Sequence, residues 1–206
     1  MPVYNTPMKI ARIPSLISGA LLSLVLSVSA SAQESTAVSR IDPPGSILFI
    51  GNSFTFYNNA IYTHLRKLLV AEDPALRQSI FLKSMTISGA MLSDHTGGLR
   101  QMLSSRSWDI VVLQGHSRAA IEADRLKGFQ STIRQFSAEI RSNGGEPVLF
   151  MTWAYSDKPE MIADLASAFR RLGHEEGLMV IPVGLAFEQA RQEIPSIVLH
   201  DPDRLH

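Results

Sequence analysis

The sequence predicts an α/β protein, a three-layer α/β/α sandwich around a mainly parallel sheet. Two observations carry this. Short runs of Ile, Val, Leu and Phe recur along the chain without the polar alternation of a half-exposed strand, as expected for strands buried on both faces. Between them lie longer stretches with apolar residues at helical spacing, so the connections are crossover helices, and right-handed crossovers cover both faces of the sheet. The breaks fall where this arrangement needs them. Asn143-Gly144-Gly145 offers a left-handed cap at the end of a long helical pattern. Pro159 suits a first helical turn, with Ser156 and Asp157 ahead of it as candidate caps.

In chain order, the predicted strands are Ile47 to Ile50, Ile80 to Lys83, Ile110 to Leu113, Val148 to Thr152 and Met179 to Val183. The predicted helices are Ala60 to Val70, Gly98 to Leu103, Ala123 to Ser142, Pro159 to Arg171 and Leu185 to Glu193. No internal repeat interrupts the series.

The first 32 residues read as a secretory signal peptide rather than as part of this domain. Lys9 and Arg12 precede the apolar segment IPSLISGALLSLVLSVSA, which closes on the small-residue triplet Ala30-Ser31-Ala32. The segment is short for a bilayer span and holds several serines and a glycine, so cleavage after Ala32 is expected, leaving a product that is exported and free of the membrane. Residues 33–45 then form a polar tail ending in Pro43-Pro44-Gly45, and residues 46–206 form one domain, enough chain for a single sizeable core. Lys9 and Arg12 leave with the leader, so 19 acidic side chains face 17 basic ones. With no basic cluster or stripe, nucleic acid is excluded as a partner. There is no cysteine, so stability must come from packing, not disulfides.

The chemistry is concentrated at the two ends of the domain. The first strand runs straight into Gly51-Asn52-Ser53. None of these residues suits a ladder, and in an open α/β sheet reactive groups lie beyond the carboxyl ends of the strands. Ser53 is therefore either a nucleophile beside the N–H groups of a helical turn or, with Asn52, a helix cap. A serine nucleophile needs a base and a group that orients it. The stretch Asp203-Arg204-Leu205-His206 offers both, a carboxylate for Nδ1 with Nε2 left for a hydroxyl, unless Asp201-Pro202-Asp203 is only a turn and His206 a surface residue.

A Gly-Asn-Ser after the first strand and a late Asp-x-x-His resemble the first and last blocks of the SGNH hydrolases, also called GDSL-like esterases. The resemblance implies a flavodoxin-like sandwich with Ser53 as nucleophile, His206 as general base and acid, and Asp203 as orienting carboxylate. It also implies an oxyanion hole made of the Ser53 N–H, the N–H of Gly89 in Thr86-Ile87-Ser88-Gly89-Ala90, and a side-chain donor after the third strand. There this chain departs from the family. Where most members carry Gly-x-Asn-Asp, it reads Gln114-Gly115-His116-Ser117. Aligning glycines puts Ser117 at the Asn position, Gln114-Gly115 resembles a Gln-Gly-Glu variant of carbohydrate acetylesterases, and Gln114 is preferred over His116 as the donor because its amide donates without titrating, the alternative being that Gln114 simply ends the strand and holds a loop.

The resemblance implies an esterase acting on a small-molecule or carbohydrate ester, O-acetylated carbohydrate above all, without cofactor or metal. A carbohydrate-binding protein on the same fold and a polysaccharide O-acyltransferase are the alternatives. His95, next to Asp94, is the spare candidate for a substrate contact. Phe54, Phe56, Tyr57 and Trp153 are candidate pocket walls or core, and His64 and His174 are expected on helix surfaces. Family members also continue past the last histidine into a closing helix, so the gene product is expected to extend about a dozen residues beyond His206.

Overall fold

The computed structural model describes residues 44–206; the leader and the tail up to residue 43 lie outside the described residues. Five parallel strands, β1 (Ser46–Gly51), β2 (Phe81–Thr86), β3 (Ile110–Leu113), β4 (Glu146–Phe150) and β5 (Met179–Ile181), form one sheet in the order β2-β1-β3-β4-β5. Strand β1 is central, pairing Ile50 with Met85 on one side and with Leu113 on the other. The order reverses at β1. A crevice therefore opens beyond the carboxyl ends of β1 and β3, where open α/β sheets bind their ligands.

The period-two geometry of β1 divides the core. Leu48 and Ile50 face one layer with Val111, Leu113 and Leu149, while Ile47 and Phe49 face the other with Val112 and Phe150. The first layer is closed by α4 (Thr96–Ser105), α5 (Ala123–Ser142) and α6 (Met161–Glu176), which supply Leu99, Phe136 and Phe169. The second is closed by α2 (Ile61–Glu72) and α7 (Val183–Glu193), through Leu65 and Phe187. Helices α1 (Ser53–Phe56) and α3 (Leu76–Ser79) are single turns, and a 3₁₀ turn at Leu92–His95 leads into α4.

The long helix ends as expected: Gly144 takes φ +81°, and Asn143 Nδ2 donates to the Glu139 carbonyl at 2.8 Å. The caps assigned to Ser156 and Asp157 are a correction. Helix α6 begins only at Met161 and has no side-chain cap, because the Asp157 carboxylate instead accepts from Arg204 at 3.2 Å. Pro147 stands inside β4 without harm, since the β4–β5 pairing begins one residue later, at Val148 and Met179, and no ladder bond needs its missing N–H.

Candidate functional site

Ser53 is the first residue of α1 and stands directly beyond the central strand. Gly51 is required there by close approach, since a Cβ at that position would be driven into Gln114 Oε1 and Thr55 Oγ1. Asn52 follows in an extended conformation and caps α1, its Oδ1 accepting from the Phe54 N–H at 3.2 Å. The cap is also a hub. Asn52 is 2 % exposed; its N–H donates to Gln114 Oε1 at 2.8 Å, its Oδ1 accepts from Gln114 Nε2 at 3.0 Å, and its Nδ2 donates to the Ala90 carbonyl at 3.1 Å.

These bonds correct the role expected of Gln114. Its Oε1 accepts from the Asn52 N–H and from Thr55 Oγ1 at 2.7 Å, and its Nε2 donates both to Asn52 Oδ1 and to the Gly115 carbonyl. A backbone N–H only donates, so the atom facing Asn52 N is the oxygen and the amide orientation is fixed. With both amide hydrogens engaged inside the protein, Gln114 has none to offer a substrate. It locks the β1–α1 turn to β3.

His116 stands as far beyond Leu113 as Ser53 stands beyond Ile50, and these two residues are register partners. Arg125 Nη1 lies 2.9 Å from its Nδ1 and 3.3 Å from its Nε2. Burial, then the Arg125 charge, push its pKa below the ordinary histidine value, with Glu122 opposing. Arginine only donates, so the imidazole accepts on one nitrogen and carries its proton on the other. Ser117 is buried, with Oγ 2.6 Å from the Tyr155 hydroxyl, so that bond, not the site, takes the residue aligned with the Asn position. Gly89 follows β2 at φ +67° and is exposed. Among the described residues, neither its N–H nor that of Ser53 meets an acceptor. The Asn52 bond to Ala90 ties the Gly89 loop to the Ser53 turn.

From the other end of the chain, His206 Nδ1 lies 2.6 Å from Asp203 Oδ2. The bond to His206, with the backbone N–H groups of His206 and Leu205 on Oδ1, lowers the Asp203 pKa to about 2. The carboxylate thus holds the proton on Nδ1 and leaves the Nε2 lone pair free. Among the described residues, that nitrogen is shielded from solvent and has no hydrogen-bond partner. The ring packs on α1, stacked on Tyr57 at 4.4 Å between centroids and edge-on to Phe54 at 5.4 Å. The structure therefore brings Asp203 and His206 together and sets His206 against the helix that Ser53 begins.

No protein-family model and no curated protein matches the sequence. Solved structures do. A candidate SGNH hydrolase from Slackia heliotrinireducens superposes with a TM-score of 0.64 at 23 % identity, over 78 % of this chain and 89 % of the other. An acetylxylan esterase from Geobacillus stearothermophilus gives 0.60 at 16 % identity over 79 % and 86 %, and TesA gives 0.58 at 13 % over 78 % and 88 %. The chain has the SGNH hydrolase fold.

Within that SGNH fold, Trp153 is more than the candidate pocket wall or core residue named from the sequence, and the contacts of Arg204 and His200 escaped the sequence reading. Trp153, at the carboxyl end of β4, stacks between Phe54 at 4.3 Å and Phe187 at 4.5 Å and donates from Nε1 to the Leu205 carbonyl at 2.7 Å, one residue before His206. Arg204, in a left-handed conformation, pairs with Asp157 and accepts on its carbonyl from the Ser156 N–H at 3.1 Å. His200 Nε2 lies 3.0 Å from the Ala154 carbonyl. The position of Trp153 at a strand end was a visible hint; its partner lies 52 residues away and was not. His95, the spare substrate contact, is instead buried at 2 % exposure and faces the Gly51 carbonyl, behind the Ser53 turn.

Proposed function

We propose that the protein is an exported serine esterase working through Ser53, His206 and Asp203. The observation behind this is the buried, unpartnered Nε2 of His206, oriented by an ionised Asp203 and packed on the helix that starts with Ser53. Ser53 Oγ attacks the ester carbonyl carbon while its proton passes to Nε2. The charge on the carbonyl oxygen is met by the N–H groups of Ser53 and Gly89 and by the protonated nitrogen of His116. Collapse breaks the carbon–oxygen bond to the alcohol, which leaves with the proton from Nε2. Water then attacks the acyl-enzyme with the same assistance and releases the acid.

O-acetylated carbohydrate is the proposed substrate class. It is supported by the acetylxylan esterase among the proteins of the same fold. The test is labelling by a fluorophosphonate probe together with acetate release from acetylated xylo-oligosaccharides. Ser53→Ala should abolish labelling and lower the rate by about 10³-fold or more while leaving the fold intact. A Ser53→Ala protein that hydrolyses nitrophenyl acetate at the parent rate would overturn the mechanism. Binding of the oligosaccharide without labelling would move the protein to the binding class, and acetyl transfer to an added sugar in place of water would make it a transferase.

A further inference from the structure

Tyr57 does more than wall a pocket. It is 42 % exposed, yet its ring is stacked on the imidazole of His206 at 4.4 Å between centroids with 25° between the planes. The Asp201 carboxylate beside its hydroxyl raises the phenol pKa above its ordinary value, because ionisation would set phenolate against carboxylate. The ring therefore bridges two segments: its backbone caps the end of α1, and its face lies on the imidazole of the C-terminal loop. The side chain of His206 is only 13 % exposed on an otherwise open loop, and Tyr57 is its cover.

We infer that Tyr57 is a positioning residue whose ring face stabilises the imidazolium that forms when His206 takes the serine proton. This rests on the esterase mechanism above. A tyrosine face carries negative quadrupole potential and attracts a cation close over the ring, while doing little for the neutral imidazole. The stack therefore strengthens at the step where charge appears, which is the condition for an interaction to raise the rate rather than only bind. The other charges around the ring are Asp203 on its own loop and Asp201 beyond the Tyr57 hydroxyl. Phe54, which meets the ring edge-on, brings none, and the Arg204 guanidinium is turned to Asp157.

The experiment titrates His206 by NMR and by the acid limb of kcat/KM in four proteins: the parent, Tyr57→Phe, Tyr57→Leu and Tyr57→Trp. Tyr57→Phe keeps the face and loses only the hydroxyl beside Asp201, and its limb should move by less than that of Tyr57→Leu. Tyr57→Leu removes the face, so the His206 pKa should fall by about half a unit and kcat by about three- to fivefold, with KM nearly unchanged. Tyr57→Trp, with the stronger face, should keep the limb or raise it, and this comparison stands if Tyr57→Leu does not fold. Equal His206 pKa values in the Phe, Leu and Trp variants, or a rise in Tyr57→Leu, would overturn the inference. The NMR titration also separates the two ideas. A parent that fails to label at Ser53 defeats the esterase mechanism whatever the variants do, whereas an active parent whose His206 titration ignores residue 57 defeats only the role of Tyr57.

Discussion

The turn that carries Ser53 and the loop that carries Asp203 and His206 meet beyond the carboxyl ends of the strands, but they are held there by different chemistry. The turn is buried. Asn52, Thr55 and Gln114 are each 2 % exposed or less, and they satisfy one another through a closed set of hydrogen bonds anchored on β1 and β3. The loop is a surface segment tied at separate points: a Trp153 N–H, an Arg204–Asp157 pair, an imidazole stacked on tyrosine. In the turn, losing one partner strands several polar groups where water cannot reach them, so its geometry is enforced by a large penalty for any alternative. In the loop, a lost contact is replaced by water at small cost, so its geometry is set by many weak terms. Ser53 is therefore fixed by the fold itself, and His206 by side chains that add up.

Gln114→Ala breaks the comparison at its strongest point. It leaves the Asn52 N–H and the Thr55 hydroxyl without their acceptor, and each stranded buried group costs about 1–3 kcal/mol. A loss of about 3 kcal/mol is expected, which lowers the melting temperature of a domain this size by roughly 10 °C. Calorimetry checks it. An unchanged melting temperature accompanied by a fall in kcat alone would return Gln114 to the oxyanion.

The equivalent change in the loop should act on rate more than on stability. Trp153→Phe preserves the stack between Phe54 and Phe187 and removes only the N–H that holds the Leu205 carbonyl. The cost in stability should be about 1 kcal/mol or less, because a partly buried carbonyl recovers some hydration. The activity should fall by about tenfold, because His206 sits one residue further on and small displacements of a base are expensive. Parallel melting curves and nitrophenyl acetate kinetics decide it; a variant that loses stability but keeps full activity would show that the loop does not depend on Trp153.

The same contrast explains what the sequence could and could not reveal. Strand β3 and helix α5 have the predicted bounds, Ile110–Leu113 and Ala123–Ser142, because each is a local pattern ended by a local stop. Strand β2 runs on to Thr86, three residues past the predicted end, because pairing with β1 extends it through Ser84-Met85-Thr86, where no apolar run marks a strand. Strand β4 begins at Glu146 rather than Val148, since Pro147 looks like a breaker until its neighbour's register is known. At the site, Asp203 and His206 were legible because their pairing is local. The orientation of Gln114 was not, because it is decided by Asn52 and Thr55, about 60 positions away, and nothing in Gln-Gly-His-Ser says which way the amide points.

The smallest expected effect separates the two regions by pH. His95, behind the Ser53 turn, has its pKa lowered from 6.5, mainly by burial, with the Gly51 carbonyl and Asp94 opposing. The unfolded chain therefore takes up a proton at His95 before the folded chain does, and the fold loses stability as pH falls below 6.5. His116, whose pKa is also lowered from 6.5, adds to the loss in the same direction. Asp203 behaves oppositely in position along the scale. Its pKa is lowered from 3.8 to about 2, so its contribution is whole above 3.8 and disappears only as pH falls from there towards 2. Between pH 6.5 and 3.8 the turn should weaken while the carboxylate anchor of the loop is untouched. Melting temperatures measured from pH 7.5 to 5 should decline in the parent and decline less steeply in His95→Gln, which has nothing to titrate at that position; His116 accounts for remaining slope in the same direction. The slope is the readout rather than the absolute value, since the new amide changes packing at every pH alike. Identical slopes in the two proteins would mean that His95 is not held neutral behind the turn and that the two regions do not part company on acidification.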